Sequence, residues 1–229
     1  MLEKTPRGDW QAAHTDQHFT LRWPHPRPCL STAIYHGGFH AASALLNLRV
    51  AKHTDDATVE SPDVTLANWA RELKIESAGK ACIGMMTAAS MNSLRCRHFS
   101  LYGQAASVYI SSGLSNARRA GDPADWSESD AHRIGTINSV IICDAAMGQS
   151  TMAEILVLAT EAKAAVLQEL DIRSPVSQAI ATGTGTDSIA IISGNGPLKH
   201  WFGSHTEAGE TLANQYMAAL RDSIQGEDK

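Results

Sequence analysis

The sequence predicts an α+β domain of layered α/β type, with largely antiparallel or mixed sheet packed by a few long helices. Three observations carry that reading. Short segments rich in β-branched residues, bounded by Gly, Asn, Asp or Pro, recur along the chain. Several successive ones lie close enough in sequence to pair as antiparallel hairpins. Helical stretches are few and long, and they do not alternate with strands as a Rossmann order requires.

Residues 1–28 read as a polar lead-in, closed by the rigid stretch Trp23-Pro-His-Pro-Arg-Pro28, and one domain is expected over residues 29–229. Within the lead-in, His18-Phe-Thr-Leu-Arg-Trp23 alternates as an edge strand does. Further strands are expected near 31–35, 45–50, 81–86, 94–101, 105–111, 136–143, 179–182 and 189–193. The pair 94–101 and 105–111, joined near Gly103, is the clearest hairpin. A first helix follows Pro62-Asp63 over 64–74, with Leu66, Trp69, Ala70 and Leu73 on one face. A second spans 150–170. The third begins at Ser204-His-Thr-Glu207, whose ends have capping-box spacing, and continues through Leu212, Tyr216, Leu220 and Ile224.

A chain of 229 residues is long enough to bury a sizeable core. Its 43% hydrophobic and 19% charged residues are those of a folded, soluble protein. A formal charge of −5, a pI near 6.0 and the lack of any Lys/Arg block argue against nucleic acid as the partner. No apolar run approaches the ~18 residues of a membrane span, and the N-terminus lacks the apolar centre of a signal peptide. Cys29, Cys82, Cys96 and Cys143 are widely spaced without CxxC, which reads as buried free thiols in a reducing cytoplasm.

Plotted at about 100° per residue, Met152, Ile155, Leu156, Ala159, Val166 and Leu170 make one apolar stripe on the second helix. Lys163 falls inside that stripe, and Glu161 lies on the opposite face. An ammonium in such a position must find a counter-charge, reach the rim or lose its proton. The alternatives are a packed structural lysine and a cation held in a pocket.

Ala181-Thr-Gly-Thr-Gly-Thr-Asp187 runs straight into the apolar segment that starts at Ser188. It is no phosphate loop, because a strand rather than a helix follows its glycines and GxxxxGK[ST] is missing. Gly183 and Gly185 permit unusual torsions or close approach of a substrate, and they expose the hydroxyls of Thr182, Thr184 and Thr186 beside Asp187. Such a turn can supply a nucleophile or an oxyanion hole, or simply be a polar hairpin. Gly113-Leu-Ser-Asn-Ala117 and Gly135-Thr-Ile-Asn138 place Asn116, Thr136 and Asn138 at strand ends, as turns or binding loops. His36-Gly-Gly-Phe-His40 sets two histidines four apart, a spacing read as non-metal.

Taken in order, Ser31-Thr-Ala33, Gly37-Gly38, Thr87-Ala-Ala89, Gly113-Leu-Ser-Asn-Ala117, Gly121-Asp122, Gly135-Thr-Ile-Asn138, Thr160-Glu-Ala-Lys163 and Ala181-Thr-Gly-Thr-Gly-Thr-Asp187 resemble the adenosylcobinamide amidohydrolase family of cobamide salvage. The resemblance covers roughly residues 30–225. It implies hydrolysis of the amide between the corrin ring and its aminopropanol arm, on cobinamide or complete cobamides. It thus implies a corrinoid as substrate and partner, with no cofactor or metal of the protein's own and with homo-oligomers open. The roles expected from it are Lys163 and Asp187 as a catalytic pair, Thr184 or Thr186 as nucleophile or oxyanion donor, and Glu161 as an alternative base. Asn116, Asn138, Thr136, Thr182, Gly183, Gly185, His36 and His40 are expected to contact substrate. The rival readings are a non-catalytic corrinoid carrier and another threonine-type amidase.

Overall fold

The computed structural model describes residues 8–50, 60–79, 81–124 and 135–226. In chain order these form β1 (Gln11–His14), β2 (His18–Ser31), β3 (Gly38–Arg49), α1 (Pro62–Glu72), β4 (Cys82–Thr87), β5 (Arg95–Leu101), β6 (Gln104–Ser112) and β7 (Ala117–Arg118). There follow β8 (Ile137–Cys143), β9 (Ala146–Met147), α2 (Gln149–Glu169), β10 (Gly183–Thr184), β11 (Ser188–Ile192), β12 (Leu198–Lys199) and α3 (Glu207–Gly226).

The main sheet has the order β4-β3-β2-β11-β8-β6-β5, with β1 added against β2. It is mixed. The pairs β3/β4 and β11/β8 are parallel, and the other neighbours are antiparallel. Parallel neighbours need a crossover, and α1 and α2 lie in those two connections. No helix among the described residues is long and apolar enough to cross a membrane.

Period-two alternation splits each strand between two cores. Leu45, Ile83 and Met85 from β3 and β4 share one cluster with Tyr109, Val140, Ile142, Ala190 and Ile192 from β6, β8 and β11. Phe19, Leu21 and Cys29 of β2 complete that cluster, and Asn138 of β8 donates across it to the Met86 carbonyl of β4, so the sheet folds over on itself. The residues between them face outward. Ala44, Leu46, Leu48 and Cys82 pack on Leu66 and Ala70 of α1. Val108, Ile110, Ile141, Ile189 and Ile191 pack on Ile155, Ala159 and Val166 of α2 and on Leu212, Tyr216 and Leu220 of α3. The result is one α+β domain of four layers: helix, sheet, sheet, helices.

β2 belongs to both halves. Its pairing with β3 shifts register between Arg22 and Arg27, where Pro24, His25 and Pro26 are exposed. Prolines cannot donate to a ladder, so the Pro-rich stretch marks the bend rather than the end of a lead-in. The expected boundary at residue 28 is corrected accordingly. Phe19, Leu21 and Trp23 are core residues, and the Trp23 indole donates to the Ala42 carbonyl at 2.6 Å. His18–Arg22 lies between β1 and β3 and is not an edge. Residues 1–7 of the lead-in lie outside the described residues.

Four smaller expectations also change. Ser31 ends β2 because its hydroxyl accepts the Ala33 N–H at 2.9 Å, leaving Tyr35 to bridge Gly84 alone. The stretch 179–182 forms no strand of its own, since Ala181 and Thr182 donate to the Ile172 and Arg118 carbonyls. Thr206, not Ser204, caps α3, accepting the Gly209 N–H at 3.0 Å. Cys29, Cys82 and Cys143 are buried free thiols, and burial pushes Cys29 up to about 12 and Cys143 up to about 11. Cys96 departs from that expectation and is exposed, on β5 at the end of the sheet order.

Gly84 lets α1 sit close on the sheet. A Cβ there meets Tyr35 Cβ at 2.9 Å and Leu66 Cδ1 at 3.1 Å. Gly84→Val is therefore expected to lower stability by about 1–3 kcal/mol through overpacking. Urea unfolding measures it, and a midpoint equal to wild type refutes the close fit.

Candidate active site

The α2 crossover from β8 to β11 lays its buried face over the beginnings of both strands. Lys163 lies on that face and is 6% exposed. The turn before β11 brings Asp187 beneath it, and Lys163 Nζ donates to Asp187 Oδ2 at 2.5 Å. The same oxygen accepts the Thr184 N–H at 3.0 Å. Asp187 Oδ1 accepts the Ile137 N–H at 2.9 Å and the Thr184 hydroxyl. Four donors thus surround one nearly buried carboxylate, which is how such a charge is tolerated. The counter-charge that the apolar stripe demanded is Asp187.

Gly183 is required by the same cluster. A Cβ at that position lies 2.5 Å from Asp187 Oδ2 and 3.2 Å from Lys163 Nζ. Gly185 is packed just as closely on Asn116, with a Cβ falling 2.5 Å from its Nδ2. The Gly185 N–H also donates to the Asn116 carbonyl at 3.1 Å, so Asn116 backs the turn. The Thr182 hydroxyl accepts the Ala120 N–H at 2.9 Å and anchors the turn at its start.

The threonine hydroxyls differ in where their protons go. Thr184 donates to the Asp187 carboxylate. Thr186 donates to the Gly135 carbonyl at 2.9 Å and lies 2.7 Å from the Thr136 hydroxyl. A carbonyl is no base, whereas a carboxylate can accept the proton of an attacking oxygen. The geometry therefore singles out Thr184 as the hydroxyl on a proton acceptor.

Asp187 and Thr186 also line a cleft of about 260 Å³ at the end of the inter-sheet core, whereas Thr184, Lys163 and Asn116 stand behind Asp187 or the turn and outside its lining. Thr32, Thr87, Thr136 and Ser188 line the cleft too, among Val50, Met85 and Met86, and most of its accessible wall is carbon. Thr32, Thr87 and Ser188 were missed as site residues in the sequence. Thr32 and Thr87 stand in motifs that carry the family resemblance, and Ser188 directly follows Asp187, so a signal existed for each.

Other expected residues lie elsewhere. Glu161 is exposed on the solvent face of α2, because two residues along a helix turn the side chain about 200° away from Lys163. It is not a base for this site. His36 stacks on Tyr35 at 4.0 Å, and its Nδ1 lies 2.9 Å from the Cys82 carbonyl. His40 is exposed at the start of β3, and neither histidine lines the cleft. Asn138 is buried between the sheet halves, where its Nδ2 donates at 2.8 Å to both Asn47 Oδ1 and the Met86 carbonyl. Its donor capacity is used in joining β8 to β3 and β4.

Removing the ammonium leaves the Asp187 carboxylate buried without its counter-charge. Lys163→Met is expected to cost about 3–5 kcal/mol of stability. In a double-mutant cycle, Asp187→Asn combined with Lys163→Met should cost less than the two single changes added together. Denaturant unfolding reads both, and additive losses contradict the coupling.

Residues 3–229 match the family model for adenosylcobinamide amidohydrolase. The uncharacterized protein MJ1613 of Methanocaldococcus jannaschii is 35% identical over 129 residues, which is 50% of this chain and 51% of that protein. The chain thus matches about half the length of that relative. Among solved structures, the PH0078 protein of Pyrococcus horikoshii OT3 aligns with a TM-score of 0.44 at 9% identity, over 94% of this chain and 79% of that one. A Burkholderia sp. beta-aminopeptidase aligns with a TM-score of 0.44 at 10% identity, over 92% and 78% of the two chains. Matched by the family model over residues 3–229, the chain belongs to the adenosylcobinamide amidohydrolase family.

Proposed function

We propose that the protein hydrolyses the amide between the corrin ring and the aminopropanol arm of adenosylcobinamide, releasing adenosylcobyric acid and 1-amino-2-propanol. The observation that carries this reading, beside family membership, is the Thr184 hydroxyl donating to a carboxylate whose other oxygen is held by Lys163. In this reading Thr184 Oγ1 attacks the amide carbon as its proton passes to Asp187 Oδ1. The tetrahedral intermediate collapses with cleavage of the C–N bond, and the same proton leaves on the departing amine. Water then attacks the resulting threonine ester, releases the carboxylate product and returns a proton to Thr184. Lys163 keeps the Asp187 carboxylate oriented throughout. Ser188 lines the cleft next to Asp187, and its hydroxyl donates to the developing oxyanion, while the Thr186 oxygen, whose own proton is held by the Gly135 carbonyl, accepts the amide N–H.

The test is incubation of adenosylcobinamide with purified protein, resolved by chromatography against adenosylcobyric acid. Wild type should convert substrate, and Thr184→Val and Asp187→Asn should each slow conversion by about 10²–10⁴-fold. Near wild-type turnover in both variants moves the chemistry elsewhere. Tight binding with a changed absorbance spectrum but no released aminopropanol makes the protein a corrinoid carrier instead.

A further inference from the structure

We propose, resting on the preceding reading, that the cleft admits only the amide arm of the substrate, while the corrin ring stays outside against an apolar ledge centred on Ile34. Size is the first argument. Sites that enclose drug-sized ligands measure about 300–1,000 Å³, and this cleft measures about 260 Å³. A corrin macrocycle with its fringe of amides and an adenosyl group is larger than a drug-sized ligand, so the cleft formed by the described residues does not enclose it. A short arm carrying one amide and one hydroxyl is within its capacity.

The lining is the second argument. Inside, the accessible wall is mostly carbon, from residues such as Val50, Met85 and Met86, with Thr87, Thr136 and Ser188 set among them. A narrow pocket of this kind suits the methylene and methyl groups of a short arm together with its single amide. At the mouth stand Ile34, which is 59% exposed, and Pro62, which is also exposed. Aliphatic groups of this kind suit the apolar face of a flat macrocycle.

Backbone anchoring is the third. Ile34 projects from a segment fixed on both sides. The Thr32 N–H donates to the Ile189 carbonyl at 3.0 Å, and Tyr35 exchanges backbone bonds with Gly84 at 3.2 and 3.0 Å. Ala33 between them is buried. A large β-branched side chain held in water on a pinned backbone is a preorganised contact, because little of its backbone freedom remains to be lost on binding.

Ile34 is then a specificity residue that acts on binding of the ring and leaves the chemistry to the turn. Steady-state hydrolysis of adenosylcobinamide tests this. Ile34→Glu should raise KM at least about tenfold, equivalent to ~1.4 kcal/mol, with kcat changed less than about threefold. Ile34→Ala should shift KM in the same direction by less, and Ile34→Leu should restore it. Leu198→Glu, at a 56% exposed position on β12 beside Ala146, is the charge control and should leave KM unchanged. An unchanged KM in Ile34→Glu and Ile34→Ala, with active wild type, overturns the ledge alone. A fall in kcat without a change in KM also overturns it, since Ile34 then acts with the reacting groups. Wild type that releases no aminopropanol overturns the functional reading itself.

Discussion

The Asp187 carboxylate ties together the end of the molecule where α2, the turn at β10 and the start of β8 meet. Its four donors come from α2, the turn at β10 and the start of β8, and Asp187 itself leads into β11. A carboxylate with a side chain only 11% exposed is costly unless every lone pair is engaged. That requirement fixes where α2 lies on the sheet, how tightly the turn is wound and why Gly183 has no side chain. The polar cluster and the fold around it are therefore one structure, and the groups proposed for chemistry are held by the contacts that hold the layers.

The folded-over sheet sets the second constraint. At the end of the inter-sheet core the apolar packing of Ile142, Val140 and Met85 gives way to an amide and hydroxyl chain. Asn138 donates to Asn47, and Asn47 donates to Ser111 at 2.9 Å. Hydrogen bonds in this dry setting join strands that are not neighbours in the sheet. They hold β3 and β4 at a set distance from β6 and β8, and Met85, Met86 and Thr87 of β4 line the cleft. A similar joint on the helix side is the Tyr216 hydroxyl, 2.8 Å from that of Ser139, with burial pushing the phenol well above its ordinary range.

Much of this was legible in the residues. Local patterns located β4, β5, β6, β8 and β11, the first part of β2 and the second half of β3, and the 3.6-residue period located the three helices. The lysine inside an apolar stripe demanded a partner, and glycines flanking threonines announced a crowded polar turn. The differences also have physical causes. Glu161 has the chemistry of a base, but its helical phase points it away from Lys163. His36 and His40 lie near a motif of the family resemblance, yet the bridge of Tyr35 to Gly84 and the stacking of His36 on Tyr35 keep that segment beside β4. The proline run looked like a boundary because prolines leave ladders, but here a strand passes through the bend and pairs on both sides of it.

By itself the sequence determined the class of fold, the amphipathic faces and the residue types that the site requires, since these follow from local period, turn chemistry and the cost of burying charge. Lys163 and Asp187 were already expected together, and only the tertiary structure decided which oxygen joins them, that Thr184 rather than Thr186 holds its proton on a carboxylate, and that Thr32, Thr87 and Ser188 share a wall with Asp187. Those facts depend on which strands become neighbours and on which faces meet when a sheet folds over. Strand order and sheet folding are set by long-range packing, which the local pattern of a single strand does not encode.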